Sequence, residues 1–190
     1  MRRAAGVLLL ALVLTACTGG SDAVNQSGGG ETRFVAGNSR TGVLPAADRK
    51  PAPAVSGPLL DGSPYDLRSL EGRVVVVNFW GSWCAPCRAE AATLERVYQS
   101  SRSSGVQFVG VDVKDETGPA TAFQRAQGIS YPSLFDRAGA VAVRFRDLPP
   151  AAIPTTLVID RLGRVAARFL GGVTEGELGP VVASVAGERA

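Results

Sequence analysis

The feature that most limits what this chain can fold into is a pair of cysteines, Cys84 and Cys87, set where an apolar strand gives way to a helix. Residues 74–80 form a near-continuous run of β-branched and aromatic side chains, the pattern of a strand covered on both faces. In residues 85–101, Ala89, Ala92, Leu94, Val97 and Tyr98 fall near 3.6-residue spacing, and Gly105 ends the helix they predict. Cys84 therefore meets the unpaired N–H groups and positive dipole end of that helix, in an exposed position where its thiolate is favoured at neutral pH. Pro86 fits the first turn, which needs no N–H there. Cys87 comes one turn later, within disulfide reach of Cys84. Such a pair can attack a partner disulfide, form a mixed disulfide and resolve it with the second thiol.

No histidine occurs anywhere in the 190 residues. That excludes Ser-His-Asp and Cys-His catalysis, histidine bases and every His-ligated metal or haem. A zinc site needs four ligands, and only one further cysteine, Cys17, exists. A purely structural bridge over two intervening residues would constrain the unfolded chain very little. The pair is thus expected to be redox-active, with no metal and no cofactor.

The remaining pattern predicts an α/β sheet of mixed direction. A hairpin is expected over residues 58–70 about Asp61-Gly62, with strands at 106–113 and 133–136. Helices are expected at 120–127, ended by Gly128, and as a turn at 140–146. A second hairpin joins 155–159 to 165–170, and Thr174 caps a closing helix to residue 186, with Glu175 and Glu177 in its first turn. Trp80 is expected in the core. Arg144, Arg146, Arg161, Arg164 and Arg168 read as solvated faces without specific partners. Asp112, Asp115 and Glu116 lack the spacing and glycine of a calcium loop and read as strand-end loop residues.

At the N-terminus, Arg2 and Arg3 precede 13 apolar residues, 4–16. A spanning helix needs about 20, whereas a secretory signal core needs roughly 7–15. Leu14-Thr15-Ala16-Cys17 resembles the lipobox of bacterial lipoproteins, which implies removal of residues 1–16 and lipid on Cys17. Residues 17–49 are expected to be a flexible tether, rich in Gly, Ser and Asn as far as residue 30, with a short strand at 32–35. The domain is then expected at 50–190. The formal charge of +3 falls to +1 once Arg2 and Arg3 are removed, and the scattered basic residues make no nucleic-acid footprint.

The segment Val75-Val76-Val77-Asn78-Phe79-Trp80-Gly81-Ser82-Trp83-Cys84-Ala85-Pro86-Cys87-Arg88-Ala89-Glu90 resembles the exported thioredoxin-like proteins of the TlpA/ResA type. The likeness continues in Ile153-Pro154-Thr155-Thr156-Leu157-Val158-Ile159-Asp160 and Gly163. It implies a thioredoxin-like fold, a mixed central sheet flanked by helices, with an N-terminal β extension. It further implies that Pro154 is a cis-proline facing the dithiol, that Ile153 lines the same surface, and that Trp83 packs beside and shields the sulfurs. Glu90 would lie near the buried cysteine and take part in its proton transfer; a solvated first-turn glutamate is the alternative. Asn78 departs from cytoplasmic thioredoxin, which has a buried aspartate there.

The implied activity is thiol-disulfide exchange by a monomer lipid-anchored on the outer face of the cell membrane. Its partners would be protein disulfides, including apocytochrome c, with electrons from a membrane thiol donor. A disulfide-forming oxidase would use the same residues. A peroxiredoxin-like peroxidase lacks its Pro-and-Thr pattern around Cys84, and a copper-delivery module lacks its wider cysteine spacing and histidine.

Overall fold

The computed structural model describes residues 41–145 and 153–189. The expected leader, Cys17, the tether as far as residue 40, the strand at 32–35 and Arg146 lie outside the described residues. The elements are β1 (Thr41–Val43), β2 (Ser56–Pro58), β3 (Pro64–Asp66), β4 (Val75–Trp80), α1 (Ala85–Ser101), β5 (Gln107–Val113), α2 (Thr117–Gln127), β6 (Ser133–Asp136), α3 (Ala140–Arg144), β7 (Thr155–Ile159), β8 (Val165–Leu170) and α4 (Glu175–Gly187).

Six strands form one sheet in the order β1-β8-β7-β4-β5-β6. β4 runs parallel to β5, and β5 to β6, whereas β7 is antiparallel to both β4 and β8. β4 lies inside the sheet with all six residues buried, which is why its sequence is apolar without alternation. Its side chains still alternate between faces. Val76 joins Phe108, Leu94 and Val97 on the side covered by α1 and α4. Val75, Val77 and Phe79 join Val109, Val111 and Leu157 on the side covered by Val55, Tyr65, Leu67 and α3.

The domain boundary expected at Lys50 falls inside the folded unit. Thr41–Val43 pairs with Ala167–Phe169 as the edge strand, and the Leu44 N–H donates to the Ala166 carbonyl at 2.8 Å. Arg49 then inserts its guanidinium, 4% exposed, against Asp160 at 3.1 Å and also bonds Glu188 at 2.7 Å. A three-residue strand has no readable period, so its place depends on a partner more than a hundred residues away.

Several arginines expected to lack partners have them. Arg164 pairs with Asp160 at 2.8 Å, Arg161 donates to the Ala186 carbonyl at 3.0 Å, and Arg144 to the Ala54 carbonyl at 3.1 Å. Arg168 is engaged as well. The first hairpin also differs: its strands are Ser56–Pro58 and Pro64–Asp66. Leu59 instead bridges to Leu134, and the Leu60 N–H donates to the Ser133 carbonyl, which covers the free edge of β6. Among the described residues no helix is long and apolar enough to cross a membrane.

Candidate active site

Where β4 ends, Gly81, Ser82 and Trp83 turn the chain into α1. A Cβ on Gly81 would lie 2.7 Å from the Trp83 Nε1, so only glycine lets the indole sit this close to the backbone. Cys84 is the N-cap of α1, and its Sγ accepts the Cys87 N–H at 3.2 Å. Pro86 lies in the first turn, as expected from its missing N–H. Cys84 and Cys87 form a disulfide with their Cα atoms 5.3 Å apart.

Both sulfurs are buried, Cys84 being only 5% exposed, so the exposed helix-start position expected for it is not found. The reason is the packing of the turn. Trp80, Cys84, Cys87 and Ala120 make one buried cluster, with Leu60, Phe123 and Ile153 against it. The tryptophan packed with the dithiol is therefore Trp80, whose Nε1–H donates to Ser133 Oγ at 3.2 Å. That bond requires Gly110 on the neighbouring strand, since a Cβ there would meet Ser133 Oγ at 2.1 Å. Trp83, expected to shield the sulfurs, is 58% exposed and donates its indole N–H to the Lys114 carbonyl at 3.1 Å.

The loop after β5 grips this turn twice. Lys114 adopts a left-handed φ of 51°, which few side-chain-bearing residues take, and its carbonyl receives Trp83. Asp115 accepts the Ser82 N–H at 2.6 Å. The Ile153–Pro154 bond is cis, Pro154 is buried, and its carbonyl accepts the Gly171 N–H at 2.9 Å.

Glu90, one turn beyond Cys87, is 3% exposed, which overturns the solvated alternative. Its Oε1 accepts from Asn78 Nδ2 at 2.9 Å and its Oε2 from the Val173 N–H at 2.9 Å. Burial pushes its carboxyl up to about 7, against the partial offset of those two neutral donors. Asn78 also donates to Thr156 Oγ1 at 3.0 Å, so the residue that departs from the thioredoxin pattern is the one that holds Glu90. Cys87 and Asn78 border a pocket of about 10 Å³, lined further by Trp80, Phe123, Tyr131 and Ser133. That is room for roughly one water.

One acid was misread from the sequence. Asp112 lies within β5, opposite Trp80, and is fully buried, with no hydrogen-bond donor to either carboxyl oxygen among the described residues. The signal was present: a single acid in Val109-Gly110-Val111-Asp112-Val113, a run whose two faces are both covered, has nowhere to reach water.

A redox disulfide capping a helix, a buried acid behind it and a cis-proline nearby, on a mixed sheet, are the fold and site of a thioredoxin-like thiol-disulfide oxidoreductase. The chain belongs to the AhpC/TSA family, whose profile matches residues 49–168. It is 32% identical over 116 residues to the thiol-disulfide oxidoreductase ResA of Halalkalibacterium halodurans, covering 61% of this chain and 64% of that one. The chain thus spans slightly less than two thirds of that relative's length. It is 37% identical over 131 residues to the thiol:disulfide interchange protein HelX of Rhodobacter capsulatus, covering 66% and 69%. Among solved structures, a secreted thiol-disulfide isomerase from Corynebacterium glutamicum superposes with a TM-score of 0.77 at 31% identity, covering 85% of this chain and 100% of that one.

Proposed function

We propose that this thiol-disulfide oxidoreductase works outside the cytoplasmic membrane, tethered through lipid on Cys17, as a reductant of disulfides in exported proteins, apocytochrome c among them. In the working direction the Cys84 thiolate attacks a substrate sulfur, forming a mixed disulfide and releasing one substrate thiolate. Cys87 then gives its proton to the Glu90 carboxylate, and its thiolate attacks the Cys84 sulfur. The second substrate thiolate leaves and the Cys84–Cys87 disulfide is formed. Two electrons have passed to the substrate, and a membrane thiol donor returns them. Ile153, Pro154 and Trp83 would line the surface that receives the substrate chain.

The observation that carries the reductant direction is the electrostatic setting of the pair. A strong oxidant keeps its dithiol form stable by favouring the thiolate. Here the Cys84 sulfur accepts one helix N–H, the sequence has no histidine, and a buried carboxyl stands one turn beyond Cys87. An acid in that place disfavours a second negative charge, so the thiolate form is held back. The secreted C. glutamicum relative supports the location, and the Rhodobacter capsulatus interchange protein supports the activity. Equilibration of the protein in thiol redox buffers tests the direction. A potential at or below about −250 mV is expected, and one near −120 mV would make the protein an oxidant instead.

A further inference from the structure

Asp112 and Asp115 stand three residues apart where β5 leaves the sheet. Among the described residues no N–H or O–H donates to Asp112, and the carboxyl that acts on it most strongly is that of Asp115. Two carboxyl groups bond to each other only when one of them carries a proton. Asp115 is the one equipped to hold the charge, because its Oδ2 accepts the Ser82 N–H at 2.6 Å and its Oδ1 the Glu116 N–H at 2.7 Å. Asp112, sealed from water and given no donor, is the one equipped to hold the proton.

We propose that Asp112 is a neutral carboxylic acid donating its proton to Asp115, and that this proton-sharing pair positions the Gly81–Cys84 turn for disulfide exchange. Asp112 is a positioning residue in this role; it acts on Cys84 through Asp115 and the Ser82 backbone. The groups facing it leave no substitute for the proton. From the loop comes Asp115, and from the end of β6 comes Asp136, itself capped by the N–H groups of Ala140 and Val141. On β4 the opposite residue is Trp80, whose N–H is committed to Ser133, and on β6 it is Phe135. The Lys114 side chain lies over Gly139, and Glu116 is occupied by Arg137. The buried acid Glu90 is held by Asn78 and the Val173 N–H. Burial first, then the charges of Asp115 and Asp136, raise the Asp112 carboxyl to about 8.

Loss of that proton to solvent leaves two carboxylates side by side and no donor between them. Asp115 must then move, and the turn that it holds at Ser82 moves with it. The inference needs only the disulfide, not the direction of electron flow, so it stands or fails apart from the proposed reductant role.

The test uses the oxidised protein, in which no thiol titrates, with carboxyl-labelled aspartate followed by NMR. One carboxyl signal, missing in Asp112→Asn, should titrate near pH 8, and the Ser82 amide should move with the same midpoint. In Asp112→Asn the amide donates to Asp115 at every pH, so the Ser82 signal should stay still from about pH 6 to about pH 9. Reduction of the disulfide by dithiothreitol, expressed per thiolate, should show a step near pH 8 in the parent that is missing in Asp112→Asn, where only the Glu90 step near 7 is left. A midpoint in the ordinary carboxylate range, or the same inflection in Asp112→Asn, would overturn the assignment. Should that variant not fold, Asp115→Asn removes the neighbouring charge and should lower the Asp112 midpoint by about one unit or more; an unmoved midpoint would also overturn it.

Discussion

Asp160 and Glu90 are equally buried, at 3% exposure each, and they behave in opposite ways. Asp160 sits in the turn after β7, between two guanidinium groups, Arg49 at 3.1 Å and Arg164 at 2.8 Å, and also accepts the N–H groups of Leu162 and Arg164. Burial works against its charge, but the Arg164 and Arg49 bonds outweigh it and hold the carboxyl below its usual range. Glu90 has the same loss of water and only two neutral N–H donors, and it is pushed up to about 7. Burial alone therefore does not fix the charge of an acid; the cations around it do. One end of the sheet keeps a permanent charge that fastens chain segments together. The other keeps a carboxyl whose charge changes where thiol chemistry proceeds.

The hardest blow to this contrast is Arg49→Ala, which leaves Asp160 buried with Arg164 as its remaining cation. Urea unfolding should show a loss of about 3 kcal/mol, while the reduction potential stays unchanged. A moved potential would mean that the two ends of the sheet are coupled.

Glu90→Gln sharpens the contrast through pH. The folded Glu90 carboxyl titrates near 7, above the unfolded value, so the native state binds more protons in between. Its contribution is present in full below about pH 4 and lost as pH rises through about 7, with a slope of at most about 1.4 kcal/mol per pH unit. Asp160 has the opposite sign: its contribution is present above the unfolded carboxyl range and lost as pH falls through its depressed folded value. Glu90→Gln should therefore make the neutral limb of the stability profile shallower, the part left being that of Asp112 near 8, and leave the acid limb in place, as read by urea midpoints across pH.

The smallest effect is expected from Arg96→Ala. Its pair with Glu175 is more than half exposed on both sides, and its removal should cost no more than about 0.5 kcal/mol. A larger loss would show that ion pairing alone, without burial, accounts for the Arg49 result.

The helices and strands of the sheet were legible because each carries its own period. Ala85–Ser101, Ser133–Asp136 and Thr155–Ile159 have the bounds that the sequence predicts, and Thr174 makes the expected cap through a reciprocal bond with Glu177. The dithiol was legible too, since two cysteines at a strand-to-helix junction are a local signal. Contacts decided by distant segments were not. β1 is three residues long and exists only because β8 has a free edge. Trp80 and Trp83 differ only in where the turn sends them, one against the sulfurs and one onto the Lys114 carbonyl. Asp112 was taken for a loop residue because an acid near a strand end is usually solvated, whereas here β4 and β6 enclose it.

Arg49 bonded to Glu188 also bears on the order in which the chain can close. The ion pair joins the segment just after β1 to the residue just past α4, 139 positions further on. A loop of that length is costly to close until the sheet between its ends has formed, so the clasp belongs to the last contacts made. Its release frees the stretch from Leu44 to Arg49 and the end of α4 together, while β1 keeps its backbone pairing with β8.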